Sequence, residues 1–218
     1  LCPTDRIPAF VDEFRNQFTA MYPTLRDNDD YTAIINERQY SRLQGYLEDA
    51  RAKGAELIEI NPAQEDMKDG TRKMPITLVL NTTADMKLMQ DEIFGPILPV
   101  ISYGNLEEDI HDINDRPRPL ALYYFGYDRS HQEYGTNNTH SGGMCINDAL
   151  MHVAQDDLPF GGVGPSGMGA YHGIDGFREV SHRKAVYRQA KVSVAKLIGI
   201  RPPYGDTLQK TLKREIKK

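Results

Sequence analysis

Tryptophan is absent from the 218 residues and cysteine occurs only twice. No apolar run approaches the roughly 20 residues needed to span a bilayer. Each scarcity excludes something. Cys2 and Cys145 lie far apart in sequence, which argues against a disulfide framework and fits a reducing cytoplasm. The sequons at Asn81 and Asn137 therefore carry little weight. Six histidines are scattered without metal-ligand spacing, so neither a structural nor a catalytic zinc is expected. A net charge of −5 argues against nucleic acid as a partner. The opening Leu-Cys-Pro-Thr-Asp-Arg has no signal-peptide character, and no membrane association is expected.

What is present is the make-up of a soluble globular chain with one good core and a small appendage: 39 % hydrophobic and 26 % charged residues. Residues 5–21 set Ile7, Phe10, Val11, Phe14, Phe18 and Met21 on one helical stripe. Thr4 or Asp5 is expected to cap that helix, and Tyr22-Pro23 to end it, because a residue before proline avoids helical backbone. Asn36 opens a second helix with Tyr40, Leu43, Leu47 and Ala50 on one face and Gly54 at its end. Strands are expected over 57–60, 74–80 and 97–103, with a loop over 61–73. Asn105, with Glu108 three residues on, suggests a capping box for a helix presenting Leu106, Ile110 and Ile113. Pro117 and Pro119 stop it.

Beyond that, residues 120–127 form the most apolar strand, and 129–140 a helix despite Gly135. Residues 144–146 are a short buried strand. Strands alternating with helices indicate an α/β fold, a largely parallel sheet with flanking helices. Residues 178–189 alternate imperfectly and carry many charges, as an edge strand or a strand completed by another chain would. The basic tail from Arg201 reads as a solvated helix end.

Two stretches depart from this pattern. Residues 141–173 hold eight of the 18 glycines, a density that marks tight turns or close backbone approach. Inside it, Gly162-Val163-Gly164-Pro165-Ser166-Gly167 fits the dinucleotide fingerprint letter for letter. That fingerprint needs a strand before it, a helix opening at it and an acid about 20 positions on. Pro159, Pro165 and the lack of an acid near residues 185–189 make the match coincidental. The second stretch is Gln90-Asp91-Glu92-Ile93-Phe94-Gly95-Pro96, which alone reads as a turn between strands.

Taken in order, Gly142-Gly143, Asn147, Leu158-Pro159-Phe160-Gly161-Gly162 and Ser166-Gly167-Met168-Gly169-Ala170-Tyr171-His172-Gly173 resemble the end of the catalytic domain of aldehyde dehydrogenases. The Ser-Gly-Met-Gly and Tyr-His-Gly pieces are similar to the class three-like branch, which includes the coniferyl aldehyde dehydrogenases. In that family a Glu-Ile-Phe-Gly-Pro segment reaches the cofactor. The resemblance implies that Glu92 accepts hydrogen bonds from the nicotinamide ribose and that Phe94 packs beside the nicotinamide. It also implies that Val153 and Phe160 line the substrate tunnel, with ordinary core packing as the other reading of Val153. Asn147 is expected to support the loop through main-chain hydrogen bonds. His152 and His172 read as structural histidines, neither having a carboxylate or nucleophile partner close in sequence.

The chain departs from the family where the chemistry is done. Such an enzyme attacks its aldehyde with a cysteine thiolate, passes hydride to NAD or NADP, and hydrolyses the thioester with water activated by a glutamate. No Gly-Gln-x-Cys-like segment occurs here, no dinucleotide domain is present, and Cys145 reads as a small buried hydrophobe. The resemblance thus implies that residues 1–177 are the C-terminal portion of a catalytic domain and 178–218 an oligomerisation strand and tail. The intact protein is expected to be a cytoplasmic homodimer acting on a small aldehyde, an aromatic one such as coniferyl aldehyde. This portion alone carries no catalytic residue and is expected to be inactive. Two other readings stand beside it: a non-catalytic oligomerisation or binding module of the same fold, and a thiol enzyme built on Cys145 with an unidentified base.

Overall fold

The computed structural model describes residues 1–67 and 70–216; the expectations for residues 68 and 69 of the loop and for Lys217 and Lys218 of the tail fall outside them. Strand β1 (Cys2–Pro3) leads through a 3-10 turn into helix α1 (Ile7–Met21). Neither Thr4 nor Asp5 caps that helix. Proline stands in its first turn instead, where a missing N–H costs nothing. Tyr22 ends α1, its N–H donating to the Phe18 carbonyl. Helix α2 (Glu37–Ala52) starts as its cap predicts, with Asn36 accepting the Gln39 N–H at 3.0 Å.

Strands β2 (Glu56–Ile60), β3 (Ile76–Leu80) and β4 (Ile97–Pro99) form a three-stranded sheet in that order, β2–β3 antiparallel and β3–β4 parallel. Its two faces explain the unbroken apolar run of β3. Leu78 packs with Val11, Phe18, Leu25, Ile60 and Val100, on the α1 side. Val79, its neighbour, points the other way to Leu43, Tyr46 and Ala50 of α2, joined by Met86 and Ile97. A strand covered on both faces has no need of polar alternation. The single core expected from chain length is therefore two clusters, one on each side of this sheet.

The strand expected over 97–103 is broken. After Pro99 and the Val100 N–H, which still reaches Val79, the chain leaves β3; β5 (Ser102–Tyr103) pairs in parallel with β1. The capping box is half formed: Asn105 accepts the Glu107 N–H at 2.9 Å and caps α3 (Leu106–Asp115). Strand β6 (Ala121–Tyr124), helix α4 (Arg129–Asn138) and strand β7 (Gly143–Ile146) follow, with β6 and β7 parallel. Asp128 caps α4 through the His131 N–H, which offsets its poor helix composition. Among the strand-to-strand ladders of the described residues only β2–β3 is antiparallel, so the α/β fold with largely parallel pairing and flanking helices is as expected.

Beyond the glycine-rich stretch, α5 (Gly173–Glu179) takes in Arg178 and Glu179, the first two residues of the expected strand. From 182 to 190 the chain makes no ladder with any strand among the described residues. The described tail ends in α6 (Val194–Leu197) and α7 (Asp206–Ile216). No helix among the described residues is long and apolar enough to cross a membrane.

Candidate functional site

Helix α2 is the frame for the segment that carries Glu92 and Phe94. At its C-terminal end the Asp49 carboxylate accepts the Lys87 N–H at 2.9 Å, and Lys53 Nζ donates to the Asp85 carbonyl at 2.6 Å. The Lys87 N–H, then Lys53, hold Asp49 below the usual carboxylate range. One and two turns nearer its N-terminus, Tyr46 and Arg42 take the other end of the segment. Tyr46 Oη donates to Asp91 Oδ2 at 2.9 Å. Arg42 donates to the Glu92 carbonyl at 3.0 Å and the Ile93 carbonyl at 2.6 Å, while its Nε reaches Gln39 Oε1 at 2.6 Å.

Between these anchors the backbone does something unusual. Phe94 has φ +46°, in the left-handed region, where a bulky side chain costs about 1–2 kcal/mol. Gly95 follows because the chain runs close against α2: a Cβ there would stand 2.5 Å from Leu43 Cδ1, and Leu43 is fully buried. The Phe94 ring ends 86 % exposed. Glu92 and Phe94 share the wall of one cavity of about 830 Å³ with Ile35, Asn36, Gln39 and Arg42. Tyr31 is in the same wall. Its hydroxyl donates to the Met74 carbonyl at 2.6 Å, and burial pushes its pKa up to about 12.

The other candidates lie on the second half of the chain. Asn147, at φ +57°, accepts the Gly126 N–H on its Oδ1 at 2.7 Å, and its own N–H donates to the Tyr124 carbonyl at 2.7 Å. It therefore ties the end of β7 to the turn after β6. Asn147 and Leu150 (φ +65°) reverse the chain, so that His152 returns beneath β7. There its Nδ1 lies 3.2 Å from Cys145 Sγ, which also accepts the His152 N–H at 3.3 Å. A nucleophile-type partner for His152 thus exists, seven residues back, which local spacing concealed. His152 is 7 % exposed, its Nε2 has no hydrogen-bond partner among the described residues, and its ring lies 5.8 Å from Tyr123 and 5.7 Å from Phe160.

Phe160 exchanges backbone hydrogen bonds with Tyr171 at 3.0 and 2.9 Å. His172 donates from Nδ1 to the Leu158 carbonyl, 3.1 Å away. Around this bridge the glycines are obligatory. A Cβ on Gly161 would collide with the Gly169 carbonyl, and one on Gly162 with the Ser166 carbonyl. The fingerprint-like residues 162–167 form a 3-10 turn over Gly164–Ser166, with Ser166 Oγ bonded to both the N–H and the carbonyl of Val163. No helix opens until Gly173. Val153 is half-buried and donates to the Leu150 carbonyl at 2.9 Å.

The structure thus gathers Glu92 and Phe94 in one cavity and sets Phe160 beside His152 of the Cys145–His152 pair, while Asn147 is bonded to Gly126 and Tyr124; the cavity wall includes none of these last. Arg42 is the functional candidate that sequence alone passes over. On the helical wheel it is a charged residue beside an apolar stripe, and its acceptors lie 50 and 51 residues on.

The whole chain can be compared with known proteins. The aldehyde dehydrogenase family profile matches residues 1–186. A Caulobacter vibrioides protein named "probable coniferyl aldehyde dehydrogenase" is 52 % identical over all of this chain and 45 % of its own length. A substrate-bound structure of Staphylococcus aureus AldH superposes with a TM-score of 0.79 at 32 % identity, covering 99 % of this chain and 45 % of that one. A Mycobacterium tuberculosis aldehyde dehydrogenase complexed with NAD+ gives 0.74 at 26 % identity, covering 88 % and 40 %. The chain spans less than half the length of each.

Proposed function

Because the chain belongs to the aldehyde dehydrogenase family, we propose that it is the C-terminal portion of an enzyme that oxidises an aldehyde to a carboxylic acid with NAD or NADP. The observation that carries the reading is the shared cavity of Glu92 and Phe94. Its volume, about 830 Å³, falls in the range of small-molecule and cofactor sites. A carboxylate and an exposed aromatic ring on one wall suit a ribose diol and a flat heteroaromatic ring. The bound dinucleotide supplies the hydride acceptor. Glu92 receives the ribose hydroxyls as an acceptor-only partner, and Phe94 limits where the nicotinamide can lie.

Phe160 and Val153 line the path of the aldehyde, and Asn147 keeps β7 and the turn after β6 in register beside them. The cysteine nucleophile and the water-activating glutamate lie outside this chain. An aromatic aldehyde such as coniferyl aldehyde is the proposed substrate, supported by the name of the Caulobacter relative. The division into residues 1–177 and 178–218, a homodimer built through the latter, and a cytoplasmic setting belong to the same proposal. Large apolar side chains left open on the second half, among them Phe125, Tyr127, Leu150, Phe177 and Val186, suit a surface that more protein covers.

The thiol-enzyme reading gains a base in His152, yet Cys145 is 8 % exposed and its sulfur already accepts a backbone N–H. That is the setting of a packing residue. The test is NAD+ and NADP+ reduction by the full-length protein and by this chain alone, with coniferyl aldehyde and with short aliphatic aldehydes. Activity confined to the full-length protein is expected. Activity of the 218 residues alone, abolished by Cys145→Ala, would overturn the reading.

A further inference from the structure

We propose that Arg42 is a positioning residue, which sets through two consecutive carbonyls the direction in which Glu92 and Phe94 face the cavity. The inference rests on the reading that these two side chains meet the cofactor. Phe94 has little packing of its own to aim it, being 86 % exposed. What aims it is the backbone. The Ile93 carbonyl belongs to the peptide plane from which Phe94 departs at φ +46°. The Glu92 carbonyl belongs to the plane that fixes its own Cα on the far side. One guanidinium holds both, at 2.6 and 3.0 Å.

The guanidinium is itself fixed from three sides. Gln39 Oε1 accepts from Nε at 2.6 Å, Tyr46 Oη accepts from Nη1 at 2.7 Å, and the Arg42 guanidinium carbon lies 4.9 Å from the centre of the Tyr46 ring. Tyr46 in turn donates to Asp91, so the residue before Glu92 hangs from the same pair. A rigid planar fork is the requirement, because the two carbonyls must be met at once from one helix position. Lysine, a single nitrogen on a flexible stem, cannot do this.

The test compares Arg42→Met, Arg42→Lys, Glu92→Gln and the Arg42→Met/Glu92→Gln double variant of the full-length protein, reading kcat, KM for NAD+, KM for coniferyl aldehyde, and thermal midpoint. Arg42→Met is expected to lower kcat/KM for NAD+ by about ten- to a hundredfold, the scale of a small misplacement near reacting groups. Arg42→Lys should lose part of this. KM for the aldehyde should stay within about twofold, and the double variant should be no worse than the poorer single one. Normal NAD+ kinetics in Arg42→Met, with Glu92→Gln impaired, overturns the positioning role and leaves the Glu92 reading intact. Silence of both overturns the two together. A lowered midpoint together with losses in Arg42→Met and Glu92→Gln that multiply in the double variant marks a merely structural arginine and also overturns it. Should Arg42→Met not fold, Arg42→Lys decides by the same readings.

Discussion

Cys145 Sγ lies 3.2 Å from His152 Nδ1, and both side chains are buried. With Nε2 already lacking a partner, the thiol is the only hydrogen-bonding group given to this imidazole among the described residues. Cys145→Ala should therefore leave a buried ring with no partner at either nitrogen, at a cost of about 1–3 kcal/mol. Thermal denaturation of the full-length protein checks the loss. The same variant should keep its aldehyde oxidation, because the thiol takes no part in the proposed chemistry. A stable but inactive Cys145→Ala protein would contradict this role.

Glu92→Gln keeps the shape of the side chain and removes its charge. A lost charge-assisted hydrogen bond is worth about 1.5–3 kcal/mol, or roughly ten- to a hundred-and-fiftyfold in kcat/KM for the cofactor. Steady-state kinetics at saturating aldehyde measure it. Constants equal to those of the wild type would reduce Glu92 to a turn residue.

How much of this was legible beforehand depends on how far the determining contacts reach. Helix α2 could be read because its stripe and its Asn36 cap are local. Strand β3 could be read because double-sided cover leaves an unbroken apolar run. The break after Pro99 could not, since β5 leaves for β1, a hundred residues back in register. Glu92 and Phe94 were singled out by resemblance; their chemistry alone, in a Gly-Pro turn, says little. Arg42 and the Cys145–His152 pair escaped because the first depends on carbonyls of a distant segment and the second on two left-handed residues.

The tyrosine at position 31 gives a pH signature. Its folded pKa, about 12 and raised chiefly by burial, exceeds the value of about 10 expected when unfolded. The stabilisation is thus fully present below about pH 10 and is lost as pH rises toward about 12. Tyr31→Phe should cost about 1 kcal/mol near neutrality, through the lost bond to the Met74 carbonyl, and should flatten the alkaline decline. Urea denaturation of both proteins across that window is the measurement. Parallel alkaline declines would show that Tyr31 does not contribute.

Residues 182–190 form no ladder with any strand among the described residues, and Val186 and Tyr187 are 77 % and 82 % exposed. If this arm joins two subunits, Val186→Lys and Tyr187→Asp should each shift the full-length protein from dimer to monomer. Light scattering decides. A wild-type monomer, or a dimer indifferent to both changes, would assign the arm another use.

The close contacts at Gly161 and Gly162 also bear on how this protein tolerates change. Burial is ordinarily the guide to which positions accept substitution, and by that guide residues 161–170 would be permissive, with Met168 96 % exposed. Yet a methyl group on Gly161 or Gly162 meets main-chain oxygen, which no rotamer change can move aside. In a library carrying every single substitution, this outer segment should therefore show a mosaic. Exposure alone would let Met168 accept nearly anything, while two glycines a few residues away refuse even alanine, so intolerance at the glycines follows the distance between backbones and not the depth below the surface.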